Sequence, residues 1–509
     1  ADEGGGAVME SPLKRTEIVG LDDQVGSPVR IEGEVIDVRQ TSGPTIFEVR
    51  DETGSVDCAA FEAAGVRAHP EIEAGAVIRV DGVVEDHRGD VQVETETLVE
   101  LEGEDRATVE ERLASALEDR ATPDDLELLA AHAGVEAVRD GLLDAATAIR
   151  RAVYEARPVV IRHRSRTDGY VAAAAIERAV LPLVRAEHDA NDAVYHYIDR
   201  RPLEDRVYGL ADAIRDVTKL LDAQERHAEK VPLFVFVGAG STAESVDALD
   251  LLDVYGAQRV VVDAGFPDEE AADAADVFVS PHRAEAPDAE TVTSTALSAN
   301  IAAAVNPEVR DELRHLPAIS YWRESPAAYV DLAAEAGYDA ATVAALREAV
   351  GLEAFYQVYE DKRQLIADLL FGEAELAEPA SEQFRNRLEE AVRTAEPHLE
   401  DWSIGDASLS VLDVDAYTHQ YDFPPADVLL GALADRAGEL DAIIGADADE
   451  LTVWSRDPID LREVAEVVDE AAPAAGAEVR GGRDGTLLFL SGEREAVLEA
   501  AIPAIADRL

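Results

Sequence analysis

Between Pro28 and Leu98 apolar and polar positions alternate with a period of two in five short runs: Val29 to Val38, Thr45 to Arg50, Ser55 to Phe61, Val77 to Val84 and Val91 to Leu98. Turn residues break them at Ser42-Gly43-Pro44, Glu52-Thr53-Gly54 and His87-Arg88-Gly89. Five strands with a longer connection between the third and fourth predict an OB barrel over residues 25–103. Phe47 alternates in phase with Val49 and is assigned to its core. Residues 1–24 open with Gly4-Gly5-Gly6 and read as a flexible leader.

The period then lengthens. Residues 104–157 read as a helical linker, with Thr108-Val109-Glu110-Glu111 as a capping box and Thr122-Pro123-Asp124-Asp125 as a second helix start. From 158 to 325 wholly apolar strands alternate with helical stretches. Ser241-Thr242-Ala243-Glu244 opens a helix that carries Val246, Leu249, Leu252 and Val254 and stops at Gly256, before Arg259 to Val262 enters a sheet. Such βαβ units imply parallel strands. Residues 326–400 read as a helical connector and 401–509 as a second, C-terminal α/β domain, so the fold class is α/β behind an N-terminal barrel.

The loop after the strand Val159-Val160-Ile161 carries the chemistry. It reads Arg162-His163-Arg164-Ser165-Arg166-Thr167-Asp168-Gly169 and runs straight into an alanine-rich helix, the entry loop of an α/β nucleotide-handling fold. A loop in this position holds a pair of divalent ions only through oxygen and imidazole ligands, and guanidinium groups supply neither. The segment resembles the first motif of the DHH phosphoesterases, the superfamily of the RecJ single-strand exonucleases, whose pattern is His-x-Asp-x-Asp-Gly after a strand. Asp168 and Gly169 match it, while Arg166 stands at the first Asp, Arg164 at the His, and His163 one residue early. Val235-Phe236-Val237-Gly238-Ala239-Gly240-Ser241-Thr242 resembles the second motif with Gly238 in place of its metal-binding Asp. Asp263-Ala264-Gly265 stands where the family has Asp-His-His, and Val279-Ser280-Pro281-His282 resembles the Asn-Pro-His that follows. His315-Leu316-Pro317-Ala318 is similar to a later family segment, in which Trp322-Arg323 replaces an expected Asp. Arg480-Gly481-Gly482-Arg483 resembles the Gly-Gly-Gly-His of the substrate-binding domain, with an arginine for its histidine.

The resemblance spans about residues 158–509 and rests on the order of its motifs. Glycines, Ser-Thr caps and strand cores persist in it, and ligands do not. It implies a RecJ-like protein whose vestigial positions Arg164, Arg166, Asp168, Gly238, Asp263, Ala264, His282 and Arg483 perform no catalysis and which needs no cofactor. Manganese or magnesium belongs only to the alternative of a working enzyme, and Asp168, Asp263 and His282 are then the weak metal candidates.

Composition sets the solvent. The chain carries 107 acidic against 45 basic residues, a formal charge of −62, and its lysines are Lys14, Lys219, Lys230 and Lys362 alone. Acids occur in every expected helix rather than in a tail, which predicts adaptation to a molar-salt cytoplasm, that of a halophilic archaeon, where the Debye length of about 3 Å quenches self-repulsion. A hydrophobic fraction of 47% suffices for packed cores. A single cysteine, Cys58, excludes an internal disulfide and a cysteine zinc site. With no signal peptide and no apolar run long enough for a bilayer, a cytoplasmic protein with no membrane partner is expected.

Nucleic acid is the expected ligand. On the barrel Arg39, Arg50, Phe61, Arg79 and Arg88 are the candidates, through backbone contacts and base stacking. In the following domains Arg162, Arg164 and Arg166 at the strand end, with Gly481, Gly482 and Arg483, could hold phosphate in place of metals. Three functions compete. The first is a non-catalytic scaffold of DNA replication or repair that binds single-stranded DNA or RNA and GINS, a replicative helicase or a catalytic RecJ paralogue. The second is an active manganese-dependent 5′-to-3′ single-strand exonuclease. The third is a regulator sensing a small phosphorylated ligand.

Overall fold

A computed structural model describes residues 13–63, 66–87, 89–187, 193–322, 325–356, 363–372, 376–419 and 421–509. The chain divides into two compact units at 121/122.

In the first unit β1 (Pro28–Gln40), β2 (Thr45–Arg50), β3 (Ser55–Ala60), β4 (Val77–His87) and β5 (Asp90–Glu100) close a barrel in the order β1-β2-β3-β5-β4. All neighbours are antiparallel except β3 and β5. The period-two reading holds because alternate residues fill the barrel: Val29, Ile31 and Val35 from β1, Phe47 and Val49 from β2, Val56 and Cys58 from β3. Cys58 is wholly buried, and burial pushes its thiol far up, so it is inert. Gly33 lies in the same phase because β2 crosses β1 there too closely for a side chain; a Cβ would sit 2.2 Å from the Arg50 carbonyl oxygen.

Two local expectations are corrected here. The leader ends earlier than 24, since Ile18 and Leu21 pack into the barrel core and the Ile18 N–H donates to the Asp51 carboxylate at 2.9 Å. The linker 104–157 is not one element. Its first helix, Gly103–Ala121, starts before Thr108, whose hydroxyl donates back to the Glu104 carbonyl instead of capping, and belongs with the barrel, burying Val109 against Val77 and Leu101. No helix starts at Pro123. That stretch runs extended because Leu126 and Leu129 are drawn into the core of the second unit, where the Leu129 N–H donates to Asn300 at 2.8 Å.

The second unit holds two sheets. The first is wholly parallel, with β6 (Val159–His163), β7 (Ile198–Pro202), β8 (Leu233–Val237), β9 (Gln258–Val262) and β10 (Val277–Val279) in the order β10-β9-β8-β6-β7. Val159 and Ile161 face helices Arg139–Tyr154, Thr167–Glu187 and Ser294–Val305, while Val160, Phe234 and Phe236 face Leu210–His227 and Val246–Val254. Chain direction across the sheet reverses between β6 and β8, which opens a crevice at their carboxyl ends. Helices Ala327–Glu335, Ala340–Tyr356, Arg363–Phe371 and Ala377–Ala395 lead to the second sheet. There β11 (Glu400–Ile404), β12 (Ala407–Asp413), β13 (Ala442–Ala446), β14 (Glu450–Ser455), β15 (Glu478–Arg480) and β16 (Thr486–Leu488) run in the order β11-β12-β13-β14-β16-β15. Among the described residues no helix is long and apolar enough to cross a membrane.

Gly33→Ala should force β1 and β2 apart and cost the barrel about 1–3 kcal/mol, the usual penalty of overpacking. Chemical denaturation followed by far-ultraviolet circular dichroism checks this, and an unchanged midpoint would contradict the close crossing.

Candidate functional site

The β6 loop turns at Asp168-Gly169 because the chain folds back on itself there. A Cβ on Gly169 would lie 2.1 Å from the Arg164 carbonyl oxygen, so no other residue fits. Gly238, after β8, has φ +61°, and a side chain on it would meet Arg164 Cβ at 3.8 Å and Ser294 Oγ at 3.4 Å. Those contacts are ordinary van der Waals distances, so it is the left-handed φ that calls for glycine at 238.

The surviving acids have other partners. Asp168 accepts from the Thr295 backbone N–H at 2.9 Å and the Thr295 hydroxyl at 2.6 Å, capping helix Ser294–Val305. Asp263 accepts from the Ser241 hydroxyl at 2.6 Å and the Gly265 N–H at 2.9 Å. Burial pushes both carboxyls up, and the Arg164 charge pulls both partly back, which places its guanidinium within electrostatic reach of each. His282 stacks on Phe266 at 3.9 Å, with burial holding its imidazole down, and Arg483 covers the same ring at 5.1 Å while pairing with Asp460 at 3.2 Å. Ala264 offers only its N–H, donated to Ser294 at 3.3 Å. Among the described residues no three His, Cys, Asp or Glu side chains converge on a position for one metal ion. The donor set does not fit a divalent pair: two carboxylates already hold neutral donors, an imidazole lies under an aromatic ring, and a cation stands beside them.

Arg164, Arg166 and Asp168 line a cleft of about 620 Å³. Arg206, which no motif pointed to, joins them, together with Arg480 and Trp322 from two of the family-like segments. Arg206 donates to the Asp484 carbonyl at 2.8 Å, Arg480 pairs with Asp205 at 2.5 Å, and Trp322 faces the cavity. Phe355, Phe384 and Phe423 complete an aromatic wall. Arg166 pairs with Asp427 at 3.1 Å. Several contacts bind the β6–β10 sheet region to the β11–β16 region, among them Arg462 to Asp268 at 2.7 Å and the Gly481 N–H to Glu244 at 3.0 Å. Gly481 and Gly482, with φ +95° and +81°, shape that junction.

Arg162 does not reach the cleft, contrary to expectation. It points beneath the sheet into a buried network with Asp212 at 2.7 Å and Asp216 at 3.2 Å, over the Tyr208 ring. His163 is buried against Tyr170, with its Nδ1 3.0 Å from the Arg164 carbonyl oxygen; burial holds it down at about 3.

On the barrel each described candidate arginine has an acidic partner: Arg39 with Asp57 at 2.6 Å, Arg50 with Glu34 at 2.8 Å, Arg79 with Glu32 at 2.8 Å. Phe61 is 66% exposed and offers a free ring face. Arg88 lies outside the described residues.

A closed five-stranded barrel followed by a parallel-sheet unit with a cleft at its switch point defines an OB domain joined to an α/β unit of DHH type. A family model described as an OB-fold nucleic acid binding domain matches residues 29–101. A solved DHH domain, titled a member of the s1p family of ribosomal proteins, superposes with a TM-score of 0.74 at 27% identity, over 80% of this chain and 100% of that one. RecJ of Thermus thermophilus in complex with Mn2+ gives a TM-score of 0.48 at 17% identity, over 78% of this chain and 59% of that one. An uncharacterized protein of Methanocaldococcus jannaschii is 30% identical over 96% of this chain and 69% of its own length. The chain belongs to the family of that archaeal protein.

Arg162→Ala leaves Asp212 and Asp216 buried beside an emptied site and should destabilise the second unit by about 3–5 kcal/mol. Asp168→Asn keeps an acceptor for Thr295 and removes a carboxylate whose folded form prefers its proton. It should hold or raise the melting temperature at neutral pH, an advantage that fades as pH falls and Asp168 becomes neutral. Asp168→Ala should instead cost about 1–3 kcal/mol. Equal losses for the two variants across pH would contradict the capping role.

Proposed function

We propose that this protein binds single-stranded nucleic acid without cleaving it and acts as a scaffold in DNA replication or repair, beside GINS, a replicative helicase or a catalytic RecJ paralogue. The observation that carries the reading is the engaged donor set: Asp168 and Asp263 are held by Thr295, Ser241 and Gly265, with Arg164 standing by them. A two-metal phosphoesterase holds its ions about 3.5–4 Å apart on several anionic ligands, and a neighbouring guanidinium opposes both. The OB model over residues 29–101 supports a nucleic-acid ligand for the barrel. Its arginines are shared with acids, so stacking on exposed rings such as Phe61, about 1–3 kcal/mol per base, is the larger contribution. The charge of −62 supports a molar-salt cytoplasm as the working medium.

Full-length protein in molar KCl should retain labelled single-stranded DNA or RNA in a gel-shift or anisotropy assay and release no nucleotides with manganese. Phe61→Ala should weaken retention by about tenfold, the equivalent of one stacked base. Manganese-dependent release that disappears in Asp263→Ala would instead establish the exonuclease.

A further inference from the structure

Four arginines, Arg164, Arg166, Arg206 and Arg480, line the cleft beside five acids, and the pairing between them leaves Arg164 over. The Arg164 guanidinium makes no hydrogen bond or ion pair among the described residues, and its Nε is shut off from solvent without an acceptor. Arg166 has Asp427 at 3.1 Å. Arg206 has only the Asp484 carbonyl, at 2.8 Å. Burial, with Arg164 and Arg166 adding repulsion against the weaker pull of Asp427 and Asp484, holds the Arg206 guanidinium down at about 10. Glu204 and Glu450 also line the cavity, and neither pairs with Arg164. In a chain with 107 acids, an unpaired and partly buried arginine marks a place kept open for an anion that the protein does not itself supply.

The opposite wall is aromatic, and the Arg347 guanidinium lies over the Trp322 ring at 5.4 Å. Trp322 is 46% exposed and stacks on Phe384 at 5.5 Å and 21°, with Phe355 and Phe423 behind. Thr167 and Trp322 both pack against Gly351: a Cβ there would meet Thr167 Oγ1 at 3.1 Å and the Trp322 ring at 3.2 Å. The volume of about 620 Å³ lies within the range of small-ligand sites, about 300–1,000 Å³.

We propose that Arg164, Arg166 and Arg206 form a metal-independent receptor for the phosphate monoester of a nucleotide, whose base lies against Trp322. Guanidinium forks match phosphate oxygens in pairs, and a dianion relieves three like charges at once. Aromatic stacking sets the second anchor without regard to base identity. The receptor rests on the non-nuclease reading above and turns the failed metal site into the reason for the cleft.

The test uses the full chain in molar KCl with EDTA, titrated with adenosine 5′-monophosphate, adenosine and inorganic phosphate. Melting temperature and indole fluorescence are followed together. The monophosphate should raise the melting temperature and change the fluorescence equally with EDTA or manganese, bind about tenfold or more tighter than adenosine, and be displaced by inorganic phosphate. Arg164→Gln should erase the preference over adenosine, with Arg166→Gln as the second variant if that protein fails to fold. Trp322→Phe should remove the fluorescence change and keep the thermal shift. No shift with any of the three compounds, no preference for the monophosphate, or binding that needs manganese overturns the receptor. Absent binding together with absent hydrolysis overturns the receptor alone, whereas manganese-dependent hydrolysis overturns the non-nuclease reading beneath it.

Discussion

A guanidinium group standing by two desolvated carboxylates decides what the cleft can hold. Arg164 lies within electrostatic reach of Asp168 and Asp263 and pairs closely with neither. Were it bonded to either acid, the site would be an ordinary buried ion pair with nothing left to offer a ligand. Held apart, it adds a smaller pull on the two carboxylates to that of their hydrogen-bond donors and makes no hydrogen bond of its own among the described residues. The separation is enforced locally: Thr295 takes Asp168, Ser241 and the Gly265 N–H take Asp263, and Gly169 and Gly238 shape the backbone around Arg164.

The surrounding fold supports this arrangement with rigid pieces. Beneath the sheet, Arg162, Arg201, Asp212 and Asp216 form a buried network that anchors the end of β6, from which the loop springs. Across the cleft, ion pairs from Arg166, Arg462 and Arg480 hold the C-terminal sheet region in place. Arginine is the cation throughout these contacts, and its planar fork binds carboxylates through paired short-range hydrogen bonds.

The barrel was legible residue by residue, because its alternation is a direct imprint of one wet and one dry face, and β2 begins and ends where the pattern does. The βαβ unit around Ser241 to Val262 follows its apolar spacing and stops before Gly256, but the α-helix begins only at Val246, neither Thr242 nor Ser245 caps it with a side chain, and the Ser241 hydroxyl goes to Asp263. Helix starts were less legible. Thr108 and Pro123 look like caps in isolation, but a longer helix absorbed the first, and burial of Leu126 and Leu129 pulled the second into an extended path. In the site, Arg164, Arg166 and Asp168 come from one loop and line one cleft, while Asp263 is held by Ser241 and the Gly265 N–H. The side of β6 that Arg162 faces was misjudged, because the acids that claim it, Asp212 and Asp216, lie on a helix some fifty residues away. Arg206, Phe355, Phe384 and Phe423 carry no local signal, whereas Arg480 and Trp322 lie inside segments already singled out by their resemblance. All come to the cleft only through tertiary folding from β7, β15 and three helical or loop segments.

Whether the cleft takes up a pair of divalent ions separates the proposed scaffold from a working nuclease. The most direct measurement is a manganese titration of the full chain in molar KCl, read by electron paramagnetic resonance. The account predicts that the free-ion signal grows in proportion to added manganese, with no stoichiometric uptake. Loss of that signal for two manganese ions per chain, with the spectrum of a coupled pair, would contradict it.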